Sequence, residues 1–485
     1  MHQNHQETSL SKKVMKGGLW IFSSRGIHQI VFLIKISVLA HLLEPRDFGI
    51  MGIAMLTMAT INTFTQTGFH HAIIQKKDEV KDYLNPAWTI LIIRGFLLFI
   101  MLYLLAPHAS RFFQEPNATL IIQVIGLSTL LNAFTNIGVV YFQKDLEFNK
   151  RFVFQTAGRL TELAVSLAAA FIFKNVWALV LGDFAANLVR VVLSYFIHPY
   201  RPKLQLDIQK TKELFRFGKW VLGSTVLFFF LGQGDDFFVG KLLGATALGF
   251  YQMAYKISNI PATEVSEVIS NISFPTYSKL QEKRNELMFA YFRFLRVTLF
   301  LALPVTGLII LLAGDLTPVL LGEKWLPIVP ALQILCFYGL TRTWNTASNQ
   351  VFLGIGKPKI TTFGAVFQLG LMVILIYPFT AMWGIVGTSG AVVIPSMFYL
   401  VYVNVQLSRT FRVKIKQLVE PLVLPGVFAL ILCGIIILQQ VLWKGSLIGM
   451  ALFTLLGILI SFSVTYFIDK VFYADLLARF KGLRD

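Results

Sequence analysis

Fourteen predominantly apolar stretches, each about as long as a bilayer crossing, run almost end to end through this 485-residue chain. They fall at roughly 17–42, 49–72, 84–106, 119–142, 152–174, 176–198, 218–243, 248–275, 290–313, 328–353, 360–381, 384–407, 419–441 and 446–468. A helix needs about 20 such residues to cross a bilayer, whereas strands of a membrane barrel alternate in segments of about ten. The expected fold is therefore an all-α polytopic membrane protein with about 14 transmembrane helices. Composition agrees: 55% of residues are hydrophobic and 14% charged, against about 25% charged in soluble proteins. That excludes an ordinary cytosolic enzyme. The formal charge of +18 would suit a nucleic-acid binder, but the oiliness excludes one. Cys336 and Cys433 both lie inside apolar runs, so neither a disulfide framework nor a metal cluster is expected. Arg25 and Lys35 interrupt the first apolar run, unlike the short uninterrupted core of a cleavable signal peptide.

Orientation follows from the basic residues of short loops. With the N-terminus in the cytoplasm, twenty-eight of the 43 Lys+Arg fall on the cytoplasmic side. They run from Lys12, Lys13 and Lys16 through Lys76, Lys77 and Lys81, and through Lys144, Lys150 and Arg151. The connecting loop adds Arg201, Lys203, Lys210, Lys212, Arg216 and Lys219, followed by Lys279, Lys283, Arg284, Lys357 and Lys359. Arg409, Arg412, Lys414, Lys416, Lys470, Arg479, Lys481 and Arg484 close the set. The opposite side holds only Arg46, Arg111, Lys174, Lys241, Lys324 and Lys444. An even number of spans then puts both termini in the cytoplasm, beneath the inner (plasma) membrane.

The chain also repeats itself. Residues 16–49 align without a gap on 216–249: Gly18 on Gly218, Trp20 on Trp220, Ser24 on Ser224, Leu42-Leu43 on Leu242-Leu243, Gly49 on Gly249, with Lys16 against Arg216. Six helices per repeat make the repeats parallel, related by an axis along the membrane normal. The expected organisation is a six-helix bundle over 1–198, a cytoplasmic loop at 199–217, a second six-helix bundle over 218–408, and two final helices with a cytoplasmic tail over 409–485. Two facing bundles leave a cleft at the midplane, where a transported substrate usually binds. The alternative is a duplicated scaffold without transport.

Nine basic residues lie within or at the edges of spans. Arg293 and Arg296 stand near a helix entrance, where long side chains snorkel. The other seven are Arg25, Lys35, Arg94, Arg159, Arg190, Lys256 and Arg342. Each costs about 2.5–3.5 kcal/mol at the centre of a lipid-facing helix, so a polar interior is expected. At 100° per residue, Arg25, His28, Gln29 and Lys35 share one arc of the first helix. Gln155, Arg159 and Glu162 form a stripe on the fifth helix, and Asp183, Asn187 and Arg190 on the sixth. Lys256, Thr263 and Glu267 share a face of the eighth, and Arg342, Asn345 and Asn349 one of the tenth. Some of these charges are open to internal pairing, such as Arg159 with Glu162 or Asp183 with Arg190. The interior acids are Glu162, Asp183, Asp235, Asp236, Glu264 and Glu267, fewer than the bases. The surplus suits an anionic ligand, since Arg offers bidentate contacts to phosphate. Asp183 and the adjacent Asp235 and Asp236 are candidates for a coupling H+ or Na+, although Gly232 and Gly234 nearby equally allow a structural role.

Several short motifs then point to one family. Leu43-Glu44-Pro45-Arg46-Asp47-Phe48-Gly49 resembles the leucine–x–proline–x–aspartate–phenylalanine–glycine turn of bacterial polysaccharide flippases. Gly322-Glu323-Lys324-Trp325, followed by Pro330 and Leu332-Gln333-Ile334-Leu335, is similar to the family's loop before its tenth helix. Gly354-Ile355-Gly356-Lys357-Pro358, Trp383-Gly384-Ile385-Val386-Gly387 and Phe142-Gln143-Lys144-Asp145-Leu146-Glu147-Phe148 also match. The resemblance covers roughly 12–410 and is to the lipopolysaccharide-biosynthesis or O-antigen flippases of the multidrug/oligosaccharidyl-lipid/polysaccharide exporter superfamily. Within them the colanic-acid and teichuronic-acid exporters are most alike. The motifs themselves read as turns, with Trp325 expected in an interfacial belt.

The resemblance implies a flippase, not an enzyme, that carries an undecaprenyl-pyrophosphate-linked oligosaccharide from the inner to the outer leaflet of the inner membrane for surface-polysaccharide synthesis. It implies alternating access through a cavity lined by Arg25, Lys35, Arg94, Arg159, Arg190, Lys256 and Arg342. No cofactor is expected beyond a coupling H+ or Na+, and no nucleic acid. Expected partners are a polysaccharide polymerase and assembly proteins, and the expected state is a monomer. The final two helices would offer a groove for the lipid tail. The competing readings are a lipid II-type flippase, a cation-coupled multidrug exporter of the same superfamily, and a membrane enzyme. The multidrug exporter favours an acidic, aromatic lining. The enzyme needs an extramembrane catalytic domain, whereas no external loop here exceeds about 15 residues.

Overall fold

The computed structural model of the protein describes residues 25–66, 81–145, 147–442 and 454–465. Lys12, Lys13, Lys16, Lys76, Lys77, Lys444, Lys470, Arg479, Lys481 and Arg484 of the orientation count lie outside these residues. So do Gly18, Trp20 and Ser24 of the repeat and Leu146 of the last motif. For Lys81, 208–222, Ser224, Glu267, Val268, Asn271, Ile415, Val441 and Leu442 only the backbone is described.

Helices carry nearly all of the described chain, as the apolar run lengths require. They are α1 (Arg25–Leu42), α2 (Pro45–Phe64), α3 (Lys81–Phe113), α4 (Ala118–Ala133), α5 (Phe148–Phe173) and α6 (Trp177–Ile197), then α7 (Ile208–Ser258), α8 (Ile260–Lys279), α9 (Arg284–Leu320), α10 (Val329–Gly354), α11 (Pro358–Phe411), α12 (Ile415–Leu442) and α13 (Thr454–Thr465). Among the described residues nine helices are long and apolar enough to cross a membrane, or ten if α4 and the short helix Ile137–Lys144, bent by 75°, count as one span. Two helices, α7 of 51 residues and α11 of 54, are far too long for one crossing. At 1.5 Å per residue, the 54 residues of α11 would reach about 80 Å across a hydrocarbon core of about 30 Å.

Both long rods fold back where a glycine permits it. In α7 Gly244 sits at φ 84°, a backbone region that L side chains disfavour. Tyr251 Oη then donates to Asp235 Oδ2 at 2.6 Å and Gln252 Nε2 to Asp236 Oδ2 at 3.0 Å, across the turn. In α11 the break is Trp383–Gly384, with Gly384 at φ 56°, and Tyr402 Oη donates to Ile360 O at 3.3 Å. These breaks fall between 218–243 and 248–275, and between 360–381 and 384–407, where the sequence separates one span from the next.

The described chain up to Gln252, with Leu320–Trp325, forms one compact unit; Met253–Val319 with the described residues from Leu326 onward forms another. In the first, α5 packs along α6, α3 along α4, and α2 and α6 both against α4. Leu39, Leu43, Ala169, Ala170 and Ala178 make one core there. In the second, α10 packs on α8 and α11, around Tyr277, Tyr291, Leu295, Phe352 and Val403. Phe428, Leu432 and Ile436 of α12 seat on Leu312 of α9.

α2 and the second limb of α7 cross closely inside the first unit. A Cβ on Gly49 would stand 1.7 Å from Ala245 O, and one on Gly249 would stand 2.0 Å from Pro45 O. A Cβ on Gly52 would lie 2.5 Å from Gln252 Oε1. Positions 45, 49 and 52 thus cross 245, 249 and 252 about a local two-fold axis, by the close backbone approach that small residues allow in membranes.

Two of the family-like motifs act as struts. Glu44 caps α2: its backbone N donates to Asp47 Oδ2 at 3.0 Å, while Asp47 Oδ1 accepts from Val176 N at 3.0 Å, at the entrance of α6. One carboxylate therefore serves two helix N-termini, where orphan amides need acceptors. Trp325 does not sit in a membrane-interface belt as expected. It is fully buried in the first unit, donates from Nε1 to Ala40 O at 3.1 Å, and meets Phe48 and Phe250 edge-on at 5.2 and 5.7 Å. An indole near a helix end suits either place; here a backbone carbonyl of α1 satisfies its N–H.

Candidate functional site: a basic ladder in the first unit

The basic side chains of α1, α5 and α6 converge with polar residues of α4 on one interior strip. His28 Nε2 and Thr156 Oγ1 are 3.1 Å apart, which brings α1 to α5. Arg190 extends across α5 where Gly158 leaves room, since a Cβ there would meet its Nε at 2.4 Å. Arg190 Nη1 donates to Asn187 Oδ1 at 3.1 Å, and Asn187 Nδ2 donates to Ser128 Oγ at 2.8 Å. Ser128 Oγ donates to Asp183 Oδ2 at 2.7 Å. Lys35 and Glu162 close the ladder as an ion pair, each side chain about a quarter exposed (24% and 26%).

Neither internal pairing open at the sequence level is the one formed. Glu162 takes Lys35 rather than Arg159, and Asp183 takes Ser128 and Asn187 rather than Arg190. Arg159 is exposed and, among the described residues, makes no hydrogen bond or ion pair. It begins about 17 Å into α5 at 1.5 Å per residue, deep within a span. A guanidinium exposed at that depth is stable only where water or an anion reaches it. Arg25, half-buried, lies on α1 one turn before His28. The bases thus follow one another along the strip, with acids confined to its Glu162–Asp183 end.

Other sequence candidates lie elsewhere. Arg94 closes the C-terminal end of α2, donating from Nε to Thr65 O at 2.9 Å and from Nη2 to Asn62 O at 3.1 Å. Asp235, 2% exposed, and Asp236 tie the two limbs of the α7 hairpin through Tyr251 and Gln252. Lys256 is exposed, beside Tyr255. Arg342 belongs to the second unit, where Nη1 donates to Asn259 Oδ1 at 3.4 Å. Sequence reading passed over Ser128, because a serine in an apolar helix looks like ordinary small-residue packing. Asn259 had one signal, the Asn-Ile-Pro step that ends α7 and starts α8.

The strip ends in an ordered strap. Beyond α6, residues 198–207 run without helix and are pinned by side chains of α3 and of the α4 bend. Asn136 Nδ2 donates to Tyr200 O at 2.6 Å, Tyr200 Oη to Asn85 Oδ1 at 2.7 Å, and Gln205 N to Thr89 Oγ1 at 2.9 Å. His198 stacks on Tyr141 at 5.5 Å. Burial, then the charge of Lys150, lowers its pKa below the usual 6.5.

The helices and the basic strip define a multi-pass helical membrane protein with a charged interior, and its fold has solved counterparts. The chain superposes on a lipid II flippase, MurJ, in an inward closed conformation, with a TM-score of 0.71, 15% identity, and coverage of 95% of this chain and 99% of that one. An inward-facing multidrug-resistance MATE transporter of the MOP superfamily follows at 0.59, with 15% identity and coverage of 79% and 95%. Residues 38–330 match the polysaccharide biosynthesis protein family, and the chain belongs to that family. Among its relatives are the lipopolysaccharide biosynthesis protein WzxC of Escherichia coli (strain K12), 24% identical over 89% of this chain and 90% of its own length, and the teichuronic acid biosynthesis protein TuaB of Bacillus subtilis (strain 168), 22% identical over 73% and 74%. The succinoglycan biosynthesis transport protein ExoT of Rhizobium meliloti (strain 1021) is 23% identical over 74% and 72%.

Proposed function

We propose that this protein is a flippase for an undecaprenyl-pyrophosphate-linked oligosaccharide in surface-polysaccharide synthesis. It moves its substrate between the leaflets of the inner membrane by alternating access, with both termini in the cytoplasm. The observation that carries the reading is the convergence of Arg25, Lys35, Arg159 and Arg190 on one interior strip, with Arg159 exposed in mid-span and engaged by no protein acceptor among the described residues. A pyrophosphate brings two adjacent anionic groups that must leave water. Several guanidinium groups at successive helical turns offset that cost through charge-assisted, bidentate hydrogen bonds. The names of the family and of its relatives, drawn from polysaccharide biosynthesis and transport, support the same substrate class.

In this reading Lys256 and Arg342 hold anionic parts of the glycan, and α12 and α13 shelter the lipid tail. Asp183, Asp235 and Asp236 are the carboxylates for a coupling H+ or Na+. Arg94, which closes α2, is the weakest of the seven as a substrate contact. The protein works as a monomer and passes its product to a polymerase and assembly proteins.

Replacing Arg25, Arg159 and Arg190 singly with Ala tests the reading in cells. Expected is loss of surface polysaccharide with lipid-linked repeat units accumulating on the inner leaflet. Undiminished export in all three variants would remove the basic strip from the mechanism. Growth arrest with lipid II accumulating instead would identify a lipid II flippase.

A further inference from the structure

The second unit holds its own polar constellation, at the break between α7 and α8. The helix stops at Ser258 and restarts at Ile260, with Asn259 between them and Pro261 in the first turn of α8. Pro lacks the N–H that would continue the ladder, and interrupted spans supply ligand groups in many transporters. α10 presses close against this break: a Cβ on Gly339 would stand 2.7 Å from Ser258 O. The approach brings Tyr255 and Tyr338 together, ring centroids 5.8 Å apart and tilted by 43°, with Arg342 beside both phenols.

Arg342 is exposed although it stands about 20 Å into α10, a depth at which a charge facing lipid alone is costly. A guanidinium carries five N–H donors. Among the described residues Arg342 makes one hydrogen bond, the 3.4 Å contact to the neutral amide of Asn259, and no ion pair. One turn further along the same stripe, Asn345 is buried, 6% exposed, and its Oδ1 has no partner among the described residues. One fixed cation, two tyrosine rings and two amides form an environment unlike the basic strip of the first unit.

We propose that Tyr255, Asn259, Tyr338 and Arg342 form a saccharide subsite that recognises a carboxylated pyranose, such as a uronic acid residue, separately from the pyrophosphate. A carboxylate carries one charge and matches one guanidinium bidentately; a pyrophosphate calls for several cations, as α1, α5 and α6 provide. Tyrosine rings suit the apolar face of a pyranose, and the amides suit its hydroxyls. The subsite rests on the flippase reading and assigns the glycan chemistry that this protein selects.

The test is binding to the full chain in lipid nanodiscs, with three polyprenyl-pyrophosphate probes: one carrying a disaccharide that ends in glucuronate, the same ending in glucose, and the bare polyprenyl pyrophosphate. Wild type is expected to bind the glucuronate probe about tenfold more tightly than the glucose probe. Arg342→Ala should abolish that preference and leave the bare pyrophosphate affinity unchanged. Arg342→Lys, a milder change, should keep part of the preference, and Tyr255→Ala should weaken both glycan probes alike. Arg159→Ala should instead weaken all three probes equally. Equal binding of the glucuronate and glucose probes by wild type overturns the subsite while leaving the flippase reading intact. So does an Arg342→Ala loss as large for the bare lipid as for the glycan probes. If no probe binds wild type, the flippase reading and the subsite fall together.

Discussion

Lys35 and Glu162 show how one buried base differs from its neighbours. Lys35 is compensated by a carboxylate, so its removal leaves Glu162 a half-buried charge without its cation. Lys35→Ala should therefore destabilise the protein by about 1–3 kcal/mol, and the Lys35→Ala/Glu162→Ala double variant should recover much of the lost thermal stability in detergent. Arg159→Ala, with no ion pair to break, should leave the melting temperature near wild type while it reduces export. Trp325 is a third case. Trp325→Ala should cost about 3–5 kcal/mol for a fully buried indole, whereas Trp325→Phe, losing the bond to Ala40 O, should cost about 1 kcal/mol; chemical denaturation of the purified protein separates the two. Of the residues on the sequence stripes, His28 and Lys35 meet α5, and Asp183, Asn187 and Arg190 join one hydrogen-bonded chain with Ser128. The stripes did not give the partners, because helical periodicity fixes the direction of a side chain and not which neighbouring helix it meets. For that reason Glu162 was open to Arg159 in the sequence and is bound to Lys35 in the fold.

At the scale of elements, helix crossings are set by glycines whose missing Cβ is the contact. Gly182→Ala would put a methyl 1.9 Å from Ser166 Oγ, in the α5–α6 seam. Overpacking of this kind costs about 1–3 kcal/mol, to be read as a lower melting temperature, and it would also shift Asp183 one residue away. Gly158→Ala acts differently. It pushes Arg190 off α5, so its effect should appear in transport more than in stability. The strap at 198–207 carries a pH dependence. A histidine whose pKa is depressed on folding takes up a proton more readily when unfolded, so stability is complete above about pH 6.5 and declines as pH falls below it. Protection factors of residues 198–207 in hydrogen exchange, corrected for the intrinsic exchange rate at each pH, should fall between pH 7 and 5, and His198→Phe should flatten that response while keeping the ring stack. Both helix breaks, at Gly244 and at Trp383–Gly384, were legible as gaps between apolar runs. The ordering of the strap was not, because Asn85, Thr89 and Asn136 are ordinary polar residues of a helix and a bend until the tertiary fold brings Tyr200 and Gln205 to them.

For the whole molecule, hydropathy foretold a polytopic helical protein, and motif resemblance foretold its family. Residues 45, 49 and 52 pack on 245, 249 and 252, a close approach that the sequence repeat did not foretell. Its Gly18–Gly218 and Trp20–Trp220 pairs lie where the structure describes no side chains. Hydropathy alone could not show that α7 packs as far as Gln252 with the helices before it, because an apolar face does not name its partner.

The loop Leu320–Trp325 has a consequence for ancestry and for engineering. Its flanking helices belong largely to one compact unit and the loop itself to the other, so neither unit is one continuous stretch of chain. A hybrid joined at a single crossover between Gln252 and Leu320 inherits a foreign tryptophan and lysine against its own Ala40, Glu44 and Phe48. A hybrid keeps these contacts where the six-residue graft travels with the α1–α2 turn that receives it, nearly 300 positions away in the sequence.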